Sequence, residues 1–204
     1  MEKYINQFFV KHLNLSPEDS HMLHNKYYKE YGLAIRGLNA HHKISAVDFN
    51  HEVDDALPLE TALKPDPELR ALLEDIDKSK VKLWLFTNAY INHAQRVIKL
   101  LEIEEIFEGC TYCDYHDENM VCKPEPEMFD KAEREAGAVS REKCYFIDDS
   151  ALNCRAAQAR GWNTVHFVEP SATPPDSPAS KYSVKNLHEL RNLFPHLFKS
   201  TSRS

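Results

Sequence analysis

Apolar residues return every three or four positions through the first third of the chain. Tyr4, Ile5, Phe8, Phe9 and Leu13 fall on one face of a helix. The stretch "LSPEDSHMLHNKYYKEYG" predicts a second helix. Ser16 is its N-cap, Pro17 sits in its first turn with acidic residues behind it, and Gly32 is its stop. "SAVDFNHEVDDAL" and "PELRALLEDID" predict two more short helices, and no strand is expected before residue 80. Residues 1–78 therefore read as a helical lobe.

The period then changes. "VKLWLF" (81–86) is a short apolar run rich in β-formers, and "NHAQRVIKLL" behind it is helical. "CTYC" (110–113), "CYFI" (144–147) and "NTVHFV" (163–168) predict three further strands. Between them lie the amphipathic "PEMFDKAEREAG", opened by Pro126 and ended by Gly137, and "ALNCRAAQAR", closed by Gly161. Strands alternating with helices imply parallel βαβ units and an open, doubly wound α/β sheet over residues 79–170. Residues 171–204 complete the chain as a polar proline-rich loop, a short helix in "VKNLHELRNLF" and a frayed tail.

The 204 residues are enough for one substantial core. A formal net charge of -7 argues against nucleic acid as a partner, because phosphate backbones need concentrated Lys and Arg. No apolar run approaches the ~18 residues a membrane span requires. The start, "MEKYINQFFV", is charged and mixed, without the basic-then-apolar order of a signal peptide. Five cysteines, an odd number in the second half, suit a reducing compartment, cytoplasmic or nuclear.

Ligands of open α/β sheets bind at the carboxyl ends of the strands. Thr87 and Asn88 follow the first apolar run, and Asp148 and Asp149 follow "CYFI". Lys123 lies in the loop "MVCKPEPE" before the helix that Pro126 opens. Two adjacent carboxylates repel unless something takes up their charge. A hydroxyl, an ammonium and a carboxylate pair on one edge would suit a phosphomonoester and Mg²⁺. Singly, each has a plainer reading: a turn at Thr87-Asn88, a solvated Lys123, a helix cap at Asp148-Asp149. Cys110-x-x-Cys113 with His116 and Cys122 invites zinc, but alternate strand positions face apart, which favours structural cysteines.

Taken together, "YYKEYGLAIRGL", "LWLFTNAY", "TYCDY", "VCKP", "YFIDDS" and "NLHEL" resemble the haloacid-dehalogenase (HAD) superfamily of Asp-dependent phosphohydrolases, and within it the fungal pyrimidine 5′-nucleotidase branch. The resemblance implies a Rossmannoid parallel sheet with a helical cap. It implies phosphate on Thr87, Asn88 and Lys123, with Thr87 and Lys123 catalytic, and Mg²⁺ on Asp148 and Asp149. Its substrate would be a small phosphomonoester, a pyrimidine nucleoside 5′-monophosphate. Tyr27, Tyr28, Tyr31 and Arg36 are then substrate-facing candidates in the cap, against a plain packing role. The family's opening strand, ending in Asp-x-Asp, has no counterpart here, so the first, central strand and the nucleophilic Asp are expected to be missing. That departure leads us to expect a truncated product of an active phosphatase, against two rivals: a non-catalytic HAD-like binding protein, or a phosphatase for a sugar phosphate or lysophospholipid.

Overall fold

The computed structural model describes residues 2–169 and 175–200. Parts of the expected proline-rich loop (170–174) and tail (201–204) lie outside the described residues. The chain divides into two compact units. One combines Met1–Lys64 with Thr87–Leu101 and Tyr112–Cys122; the other combines Pro65–Phe86 with Glu102–Thr111 and Lys123–Ser204.

The first unit is helical: α1 (Glu2–Leu13), α2 (Pro17–Tyr31), α3 (Ala34–His42), α4 (Ala46–Glu52), a single turn α5 (Leu59–Ala62) and α7 (Ile91–Leu100). The α2 boundaries follow the local chemistry. Ser16 Oγ accepts from the Asp19 amide at 3.1 Å, and Gly32 closes the helix at φ 72°. Helix α3 is an addition to the expected set, because "AIRGLNAHH" carries a helix-weakening glycine. Gly37 is there for contact: a Cβ on it would lie 2.2 Å from the Tyr27 ring. Phe8, Phe9, Tyr27, Ile35, Leu38, Phe49 and Val53 form the core, joined by Cys113, Tyr115 and Cys122 from the later stretches.

The second unit holds α6 (Pro67–Glu74), β1 (Leu85–Phe86), β2 (Cys110–Thr111), α8 (Pro126–Ala136), β3 (Tyr145–Asp148), α9 (Ala151–Ala159), β4 (Asn163–Phe167), β5 (Tyr182–Val184) and α10 (Leu190–Leu193). All pairing between named strands is parallel. It falls into two sheets, β1-β2 and β3-β4-β5, with Phe86 opposite Thr111 and Asp148 opposite His166. Strand β5 adds to the expected strands. Among the described residues β1 pairs only with β2, and β3 pairs on one edge only, with β4. The two open edges, on β1 and on β3, are where the family resemblance puts a further strand. Their effect is visible in the expected strand 81–86, where only Leu85–Phe86 is regular and no side chain is fully buried. Ile147, in the middle of β3, is 37% exposed. A strand with an open edge lacks both ladder bonds and side-chain cover there.

What holds the two sheets is an aromatic cluster. Phe86 of β1 contacts Phe146 of β3 at 5.7 Å, and Phe129 of α8 and Trp162 complete the cluster. Helices α8 and α9 are joined at their ends by an ion-pair group. Glu133 accepts from Arg160 Nε at 2.6 Å and from Trp162 Nε1 at 2.9 Å, and Arg160 also meets Asp130. The Arg160 guanidinium holds the Glu133 carboxyl down at about 2.

Gly37→Ala should lower the unfolding free energy by about 1–3 kcal/mol through overpacking against Tyr27, with the urea midpoint as the measurement. Gly137→Ala, where a Cβ meets nothing within 4 Å, should cost less and only through its φ of 69°.

Candidate phosphate and metal site

In the second unit β3 delivers Asp148, and the loop before α8 delivers Lys123, which is 4% exposed. Lys123 Nζ donates to Asp148 Oδ2 at 2.6 Å and to the Phe86 carbonyl at 2.8 Å. It also lies over the rings of Phe86 and Phe146, at 4.8 and 5.2 Å. Asp148 Oδ1 accepts from the Ser150 amide at 2.9 Å and from Asn153 Nδ2 at 3.0 Å. The Lys123 ammonium and two neutral donors therefore meet the charge of Asp148, which resolves half of the like-charge problem. Asp149 resolves the rest by exposure. Its backbone carbonyl accepts from His166 Nε2 at 3.0 Å, while its carboxylate meets no donor among the described residues.

Two carboxylates are hard oxygen ligands. They fit one side of a Mg²⁺ ion whose other ligands are water and substrate oxygens. Among the described residues no group of three or more His, Cys, Asp or Glu could hold a metal. All five cysteines are free thiols; Cys113 is buried and donates to the Met120 carbonyl at 3.6 Å. Burial pushes the Cys110 thiol up to about 11, unlike the thiolate a zinc ligand needs.

Thr87 and Asn88 belong to the first unit, and Thr87 follows Phe86 directly in the chain. Thr87 Oγ1 accepts from the Ala89 amide at 3.0 Å. The turn thus fixes the oxygen and leaves the hydroxyl hydrogen to donate elsewhere. Of the other candidates, Tyr28 is 43% exposed. The Tyr31 hydroxyl bonds His41 Nε2 at 2.6 Å, and Arg36 donates to the Tyr31 carbonyl at 3.3 Å. Tyr27 is buried, with its hydroxyl on His42 Nε2 at 2.8 Å.

The sequence reading passed over a second polar group in the first unit. Asp54 is 5% exposed, and burial, helped by Asp55, pushes its carboxyl up to about 6. Burial lowers the basicity of His93, in the first turn of α7, and the Asp54 backbone offsets part of that. Tyr115, raised well above its ordinary value by burial and then by Asp54, donates to the Asn88 carbonyl at 3.5 Å and stacks on Tyr90 at 5.4 Å. Arg96 of α7 fastens the 55–60 segment, donating to the carbonyls of Asp55 (3.1 Å) and Leu57 (2.8 Å) and pairing with Glu60. The available signal was a charged pair inside the otherwise apolar "VDDAL".

Parallel strands alternating with helices, with a buried lysine-aspartate pair at a strand end, make an α/β unit that carries charged groups at the carboxyl edge of its sheet. A model described as haloacid dehalogenase-like hydrolase matches residues 3–161, and the chain belongs to that family. Phosphate metabolism protein 8 of Saccharomyces cerevisiae is 40% identical over 178 residues, covering 83% of this chain. The match spans 56% of that relative's length. A HAD phosphatase from Thermococcus onnurineus superposes with a TM-score of 0.60 at 18% identity, over 93% of this chain and 86% of its own. A HAD family hydrolase from Deinococcus radiodurans R1, with bound phosphate and sodium, gives 0.59 at 18% identity, over 98% and 92%. These structures share the fold.

Lys123→Met strands the buried Asp148 carboxylate and should cost about 3–5 kcal/mol in chemical denaturation, with Asp148→Asn added to it recovering part of the loss. For Asp54, the folded value of about 6 stands above the ordinary 3.8. The folded state then holds the extra proton between those values, so stability falls as pH rises from about 4 to about 6 and stays lower above. The full effect is about 3 kcal/mol at pH 7. Asp54→Asn should flatten this part of the stability-pH curve and raise the melting temperature at neutral pH.

Proposed function

We propose that this chain carries the phosphate- and Mg²⁺-binding half of a phosphomonoester hydrolase whose substrate is a pyrimidine nucleoside 5′-monophosphate. The observation that carries the reading is Lys123, buried and bonded to both Asp148 and the Phe86 carbonyl, one residue before Thr87. Lys123 is placed to trade part of its pairing with Asp148 for a phosphoryl oxygen. Thr87 and Asn88, in the turn that follows Phe86 in the chain, are the hydroxyl and amide proposed for phosphate. Asp148 and Asp149 would hold the metal, which when bound offsets the charge of the phosphate.

Hydrolysis by this route needs an aspartate to attack phosphorus and release the nucleoside. Water then cleaves the aspartyl phosphate. No Asp-x-Asp follows an apolar strand before Thr87, so no described residue is assigned the role of the attacking aspartate. The same sequence feature favours the second reading, a non-catalytic phosphate-binding HAD protein. No helix among the described residues is long and apolar enough to cross a membrane, and the site suits a soluble metabolite of cytoplasm or nucleus.

Calorimetric titration with inorganic phosphate tests the reading. Saturable binding is expected with Mg²⁺, with a loss of about tenfold on chelation, in Thr87→Val and in Asp149→Asn. Absence of phosphate binding with Mg²⁺ present would sink it. In a chain supplied with an Asp-x-Asp strand ahead of residue 1, hydrolysis of uridine and cytidine monophosphates above sugar phosphates would separate the enzyme from the binding protein.

A further inference from the structure

In the second unit one peptide ties the acidic doublet to its surroundings. Strand β3 ends at Asp148 and α9 begins at Ala151. The peptide between Asp149 and Ser150 lies between ladder and helix, and it is held at both ends. Its N–H, the Ser150 amide, donates to Asp148 Oδ1 at 2.9 Å. Its C=O, the Asp149 carbonyl, accepts from His166 Nε2 at 3.0 Å. A carbonyl only accepts, so Nε2 carries the hydrogen. His166 stands opposite Asp148 in the β3-β4 register and is 6% exposed. The preceding carbonyl, of Asp148, accepts from Cys154 Sγ at 3.3 Å.

A trans peptide is planar and points its N–H and C=O to opposite sides, so turning one turns the other. A flip of this unit would take the Ser150 donor from Asp148 and aim a carbonyl oxygen at a buried carboxylate. Half of the rotation falls on the backbone of Asp149, whose exposed carboxylate completes the doublet. Lys123 and Asn153 act on the carboxylate of Asp148 itself. His166 acts on the backbone between the two acids. Packing alone would not need an Nε2–H at this position, since an apolar side chain fills space as well without a donor to satisfy.

We propose that His166 is a positioning residue for the divalent cation of the acidic doublet, acting through the Asp149-Ser150 peptide and not on the ion. The inference rests on the metal reading of Asp148 and Asp149 and adds the group that sets their mutual geometry. Fixing that peptide bears on the choice of ion as well as on affinity. Mg²⁺ demands a near-ideal octahedron at ~2.0–2.1 Å, whereas Ca²⁺ accepts looser arrangements at ~2.3–2.6 Å. A doublet with a pinned backbone favours the stricter ion, and a doublet free to turn loses Mg²⁺ first. Groups that orient metal ligands typically control about ten- to a hundredfold in affinity.

Calorimetric titration of the full chain with Mg²⁺ alone and with Ca²⁺ alone tests it. His166→Leu should weaken Mg²⁺ binding about tenfold and Ca²⁺ binding by no more than about threefold. His166→Gln, whose Nε2 amide can donate to the same carbonyl, should recover most of the loss. His166→Asn, whose amide stops short of it, repeats the expectation of His166→Leu with a polar side chain. In an Asp149→Asn background His166→Leu should add little further loss of Mg²⁺, because the two residues act as one unit. A merely structural histidine would lower the urea midpoint of the metal-free protein, leave the ratio of Mg²⁺ to Ca²⁺ affinity alone and add independently to Asp149→Asn. That pattern, or wild-type Mg²⁺ affinity in His166→Leu, overturns the proposal and leaves the metal reading standing. Mg²⁺ binding that is absent, or indifferent to Asp149→Asn, removes the metal reading and the proposal together.

Discussion

The second unit depends on the ammonium of Lys123. It is bonded at once to the last residue of β1, through the Phe86 carbonyl, and to the last residue of β3, through Asp148. Neither strand has a ladder bond to the other. Apart from the aromatic cluster beneath, this cation is what registers their carboxyl ends. The ammonium also lies over the rings of Phe86 and Phe146, so the charged knot rests on an aromatic floor. A buried pair of this kind is weak evidence for added stability but strong evidence for a fixed geometry. The residue that aligns the sheets is therefore the same one proposed to meet the phosphate.

The geometry also explains why the two sheets remain separate. Parallel strands need a neighbour on each edge to bury their apolar faces, and β1 and β3 each have one. The half-buried side chains from Leu83 to Phe86 and the exposed Ile147 follow from that single deficit. The first unit has no such deficit in its apolar core. Its unsatisfied groups among the described residues are polar atoms, Asn50 Oδ1 and His93 Nδ1.

Periodicity was enough to reveal α1, α2, α8 and α9 and the order of strands and helices, because each carries both an apolar stripe or run and a recognisable cap or stop. Helix α3 escaped, since Gly37 lowers local helix propensity and its reason, the Tyr27 ring, is ten residues away. Strand β5 escaped because three residues after a proline-rich stretch give no period. For the site, Lys123 and Asp148 were legible as strand-end chemistry, and the structure brings them into contact. Lys123 as the partner that neutralises Asp148 was not legible, since pairing across 25 residues leaves no local mark. Asp54 was passed over for a related reason: a helical context hides burial, and only the fold shows that its carboxyl has left water.

The Arg96 fork has a consequence of a different kind. Two of its partners are the backbone oxygens of Asp55 and Leu57, which every residue type supplies. As far as this contact is concerned, the identities at 55 and 57 can drift freely among descendants of the chain. Position 96 cannot drift in the same way, because lysine offers a single point of attachment where a planar fork reaches two carbonyls and a carboxylate together. A lineage that lost the arginine would have to rebuild the loop rather than substitute within it.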